Sequence, residues 1–106
     1  MGIDIAVTKH LFEPLPEGVS WFGLKDATGR ALGRQPDATL SHAIDPVSMT
    51  VFNRNQVTRL LQEFRFLAKQ SDEVTRQDLE DAATFIERET AAIGPGADCY
   101  VSFHGD

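Results

Sequence analysis

The chain has 106 residues, 42% hydrophobic and 25% charged, which fits one globular domain spanning 1–106 with a buried core and excludes wholesale disorder. Its single cysteine, Cys99, excludes an intrachain disulfide, and no window approaches the ~18 apolar residues of a membrane span. The net charge of −6 is uneven: residues 1–70 hold seven acids and eight bases, and residues 71–106 hold nine acids and two bases. No basic stripe of the kind duplex binding requires is present. With no basic region and apolar run in residues 1–25, the expectation is a cytoplasmic protein that binds neither nucleic acid nor membrane.

Ile3, Ile5 and Val7 alternate with Asp4, Ala6 and Thr8, the period of a strand with one wet face. Pro14 and Pro16, followed by Glu17 and Gly18, end it in a turn or irregular connection. Val19 to Lys25 is β-rich at its start and predicts a second strand. Asp26-Ala27-Thr28-Gly29 then reads as a type I turn with Gly29 left-handed, returning Arg30-Ala31-Leu32 as a hairpin partner. Between Gly33 and Pro46 two readings compete. Pro36, Asp37, Ser41 and Asp45 favour a binding loop, whereas the alternation of Leu40, His42 and Ile44 favours an edge strand. Residues 47–52 predict a strand with Val47, Met49 and Val51 on one face.

The stretch 52–70 carries the clearest signal. Val57, Leu60, Leu61, Phe64, Leu67 and Ala68 recur at helical spacing and share one stripe at about 100° per residue. Asn53 is placed as N-cap, Gln56 completes a capping box, and Phe52 with Val57 has staple spacing. A second helix is expected from Thr75 as cap, with Asp78 at the capping-box position and Val74 stapling onto Leu79. Its inner stripe is Leu79, Ala82, Ala83, Ile86, Thr90 and Ile93, and it stops at Gly94-Pro95. The short linker at 71–74 makes the helices an antiparallel hairpin. In residues 99–104, Cys99, Val101 and Phe103 alternate with Tyr100, Ser102 and His104.

Neither layer can bury its apolar surface alone. The expected fold is α+β: a two-layer sandwich of a mainly antiparallel sheet of four or five strands with the helix pair on one face, in the order β-β-β-β-α-α-β.

Catalytic signals are sparse. Cys99, with His42 or His104 as base, is a nucleophile candidate, but its place beside Val101 and Phe103 favours core packing. His10, His42 and His104, with Asp4 and Asp106, are metal-ligand types without ligand spacing, so no metal or cofactor is expected. Gly23, Gly29 and Gly33 fit no phosphate-loop pattern. Asp78, Glu80, Asp81, Glu87 and Glu89 read as a solvated helix face.

One residue breaks the first helix's pattern. Phe66 lies roughly 180° from Val57, among Arg59, Gln62 and Gln70 on the polar side. Adjacent Trp21 and Phe22 point to opposite faces of their strand, so one of them lies off the main core. Two functions follow. The first is a non-enzymatic protein-binding module, such as an inhibitor, adaptor or self-associating protein. It would use Phe66, Arg59, Gln62 and Gln70 toward a basic partner or a second copy of the chain. The alternative is a small enzyme or ligand-binding domain using the open sheet face, where Asp4, Thr8, Tyr100, Ser102 and His104 converge if the first and last strands are neighbours.

Overall fold

In a computed structural model, described here for residues 2–10 and 18–105, four strands form one antiparallel sheet in the order β2-β1-β4-β3. The strands are β1 (Ile3–Thr8), β2 (Phe22–Leu24), β3 (Met49–Asn53) and β4 (Tyr100–Gly105). The helices are α1 (Asp26–Gly33), α2 (Arg54–Lys69) and α3 (Glu73–Ile93). The architecture is the expected α+β sandwich, with the antiparallel pair α2–α3 packed on the sheet. The first and last strands are central neighbours, with Asp4 opposite His104 and Ala6 opposite Ser102.

All three helices touch the same sheet face. Phe64 of α2 meets Phe103 at 6.1 Å between ring centroids, Phe85 of α3 meets Phe22 at 5.7 Å, and Gly29 of α1 lies against Ile3. Between these layers Ile5, Leu60, Phe64, Leu79, Ile86, Val101 and Phe103 are fully enclosed. No helix among the described residues is long and apolar enough to cross a membrane.

α2 follows its sequence signal closely. Its six stripe residues are all buried, and Asn53 caps it reciprocally with Gln56. The Gln56 N–H donates to Asn53 Oδ1 at 3.2 Å, and the Asn53 N–H donates to Gln56 Oε1 at 2.9 Å. In α3 the cap is Asp72 rather than Thr75, with the Thr75 N–H donating to Asp72 at 2.8 Å. That N–H, then the Thr75 hydroxyl, holds the Asp72 carboxyl below its ordinary value. Asp72 takes the cap because Thr75 and Asp78 are buried, and Asp78 accepts the Lys25 N–H at 2.9 Å where β2 passes into α1. Gly94, at φ +93°, ends the helix in backbone that side-chain-bearing residues avoid. Arg54 holds that exit by donating to the carbonyls of Gly94 and Ala97 at 2.6 and 2.9 Å.

Three expectations are corrected. Residues 26–33 form α1, not a turn and return strand, so the element order is β-β-α-β-α-α-β. Gly29 is helical and donates to the Lys25 carbonyl; a side chain there would press on Ile3 Cδ1, 3.2 Å from its Cβ position. Thr28 and Leu32, at i and i+4, turn inward and supply the apolar face that makes a helix better than a hairpin. The edge-strand reading of 33–46 also fails, because the segment is a loop with a 3₁₀ turn at Ser41–Ala43. Finally, β3 starts at Met49 and turns Met49 and Val51 away from the helices. Phe52 is the buried residue, 5.7 Å from Phe103. The expected turn at Pro14, Pro16 and Glu17 lies outside the described residues, as does Asp106.

Candidate functional site

Two surfaces hold the residues that the sequence singled out. The first is the outer side of the helix pair. Phe66 is 62% exposed there, in the middle of a helix whose other phenylalanine is fully buried. Gln62 and Gln70 are exposed beside it. Arg59 reaches back instead. Its Nε donates to Glu63 Oε2 at 3.1 Å and its guanidinium donates to the Ala38 carbonyl, so it serves the loop as well as the surface.

Glu63, on the same helix, is the loop's anchor. It accepts the Leu40 N–H at 3.0 Å, the Ser41 N–H at 2.8 Å and the Ser41 hydroxyl at 2.7 Å. Burial works against its charge, but the Ser41 hydroxyl and N–H, then Leu40 and Arg59, outweigh burial and hold the carboxyl below its ordinary value. The loop therefore lies along the Arg59–Glu63 edge of α2 and leaves Phe66 uncovered.

The second surface is the sheet face opposite the helices, and it gathers the alternative set. Asp4, Ser102 and His104 share it with Thr8 and Tyr100, because the antiparallel register puts these positions on one side. His104 Nε2 lies 2.8 Å from Ser102 Oγ, and that hydroxyl lies 3.4 Å from the Ala6 carbonyl. Trp21 completes the group, its ring edge-on to His104 at 5.0 Å, while Phe22 turns inward. Opposite His104 in β3 stands Met49, so Trp21 (49% exposed), His104 and Met49 (43% exposed) form a row across the sheet. Chemically this row can stack and hydrogen-bond a ligand. It is less suited to nucleophilic attack, since Ser102 is only 2% exposed and the Asp4 carboxylate leans toward Gly23.

The remaining candidates disperse. Cys99 is buried, with Sγ 3.8 Å from Thr90 Oγ1. His42 pairs with Asp37 at 3.3 Å on the loop, far along the chain from His104. Among the described residues no group of three or more His, Cys, Asp or Glu converges as a metal site would require. One feature had no sequence signal beyond two glycines. A cleft of about 480 Å³ opens beside α1 at Gly29 and Gly33, walled by Ile3, Ile44 and Pro46 and rimmed by Lys25, Asp26 and Arg30.

Compared with known proteins, the chain matches no family model, no curated protein and no solved structure.

Proposed function

We propose that this chain is a non-catalytic protein-binding domain whose contact surface is the outer side of the helix pair, centred on Phe66. The observation that carries this is the exposure of Phe66 on a helix with a reciprocal N-terminal cap, with polar side chains around it. An aromatic anchor inside a polar rim is what binding centres are made of. The acidic α3 beside it would steer a basic group toward the same surface. The test is capture of partners from native lysate on the immobilised chain, beside a Phe66→Asp variant shown by circular dichroism to be folded. Loss of a stoichiometric partner in the variant supports the reading. Equal capture by both proteins moves the contact away from Phe66.

A second reading, a small-ligand site on the outer sheet face, is favoured by the packing of Trp21 on His104. The chain has one tryptophan, so its emission reports that face alone. A ligand that shifts Trp21 emission in the native chain but not in a His104→Ala variant supports it. A library that leaves the emission unchanged counts against it.

A further inference from the structure

We infer that the partner at the Phe66 surface is a second copy of this chain, with α2 of each protomer lying on α3 of the other. The inference rests on the binding-domain reading above and goes further by naming the partner and its orientation. Charge is the starting point. α2 carries Arg54, Arg59, Arg65 and Lys69 against Glu63 alone. α3 carries six acids against Arg76 and Arg88, and one of the six, Asp78, is buried beneath it. Glu73, Glu80 and Glu87 follow one another at seven-residue steps, so they form a single acidic line along the exposed side of α3. Two antiparallel neighbours of opposite charge make a surface that is complementary to itself.

Symmetry then selects the arrangement. A twofold axis lying across the helices would set α2 on α2 and α3 on α3, opposing like charges. An axis running along the helix pair sets α2 on the partner's α3, so that the net charges of the facing helices are opposite and each contact occurs twice. Rotation about that axis leaves each residue at its own height along the helices. Arg65 bonds Glu87 within the chain, which puts this part of α2 within one side chain's reach of residue 87 in height. Phe66 of one copy therefore comes down near residues 84–88 of the other copy's α3. There Thr84 is exposed and small, and Arg88, 65% exposed, already lies 5.6 Å from the centre of the Phe85 ring. A second ring can lie against the same guanidinium.

The test is molar mass by light scattering and sedimentation on the intact chain, with charge reversals on each helix. The unaltered chain should show twice the 11.7 kDa chain mass at low salt. It should fall toward the single-chain mass in ~1 M salt, where the screening length is only ~3 Å. Arg65→Glu with Lys69→Glu makes both helices acidic, and Glu80→Lys with Glu87→Lys turns two of the three carboxylates of the α3 line into cations. Each variant alone should be monomeric, and an equimolar mixture should recover the doubled mass, because each reversed helix now faces an opposite charge. A misfolded variant could not give that recovery. Doubled mass in both variants alone, or a mixture that stays monomeric, overturns the inference. So does a native chain that is monomeric at low salt, but if Phe66→Asp then abolishes capture of a different protein, the binding-domain reading survives.

Discussion

Replacing Glu63 by Gln tests whether one carboxylate holds residues 38–45 to the helix layer. In the native chain Oε1 accepts the Ser41 N–H and hydroxyl, and Oε2 accepts the Leu40 N–H and Arg59 Nε. A glutamine turns one of those oxygens into an NH₂ group. With the NH₂ at the Oε2 position two donors face a donor, and at Oε1 the Ser41 N–H does, while the Ser41 hydroxyl can turn to accept. Hydrogen bonds to a charged group contribute about 1.5–3 kcal/mol each, although not additively. The Arg59 side chain is 56% exposed, so its share is small. A loss of about 2 kcal/mol at neutral pH is expected, lowering Tm by roughly 10 °C in a domain of this size. The pH dependence supplies a second readout. Glu63 sits below its ordinary value of 4.5 in the folded chain, so its contribution is complete above that value and is lost as pH falls through the lower folded one. Urea denaturation of both proteins should therefore show a gap that is constant above pH ~5 and closes in acid. A gap below about 0.5 kcal/mol at neutral pH, or one that persists unchanged in acid, would refute the anchor.

Thr28→Val removes a fully buried hydroxyl that has no hydrogen-bond partner and keeps its shape, so it should stabilise the chain by about 1 kcal/mol in the same denaturation assay. A loss of stability would mean the hydroxyl does bond in solution. Gly105→Ala should destabilise by about 1–3 kcal/mol or displace the end of β4, because overpacking against rigid backbone is not relieved by side-chain motion. The added Cβ would stand 2.3 Å from the carbonyl atoms of Pro46 and 2.6 Å from the Val47 nitrogen, where Gly105 now donates to Ser48 at 3.0 Å. An unchanged denaturation midpoint would contradict this packing. Cys99, 1% exposed, should react with a bulk-thiol reagent only as fast as the chain unfolds; rapid labelling of the native protein would place it in an open site.

What was legible in the sequence follows from how each element is stabilised. α2 is specified locally and globally by the same residues: a reciprocal cap at Asn53 and Gln56, and an unbroken six-residue stripe. The stripe also put Phe66 on the side of α2 away from the core, but that the 33–46 loop leaves it exposed was not legible, because the loop's course is set by the Glu63 and Arg59 contacts. α1 was not, because its eight residues are too few for a stripe to stand out and its Asp-Ala-Thr-Gly start is equally good turn chemistry. What decides between them is tertiary. Thr28 and Leu32 bury, Gly29 lets Ile3 approach, and Asp78, more than fifty residues away in sequence, accepts the Lys25 N–H just before the first turn. No local pattern carries that information.

The misreading of β3 has a different origin and bears on both candidate surfaces. Alternation shows which strand residues share a face; it does not show which face the helices cover. Val47, Met49 and Val51 outnumber the inward Thr50 and Phe52 in apolar residues, yet Phe52 alone fills the space against Phe103. The register then leaves Met49 beside His104 on the side opposite the helices. The row of Trp21, His104 and Met49 is thus invisible to a pattern search, since its members come from before or within three strands ordered only by pairing. Phe66 needs no pairing to be seen. The exposure of Phe66 thus follows from the stripe of one helix, whereas the sheet-face row depends on strand register together with the packing of Trp21 on His104.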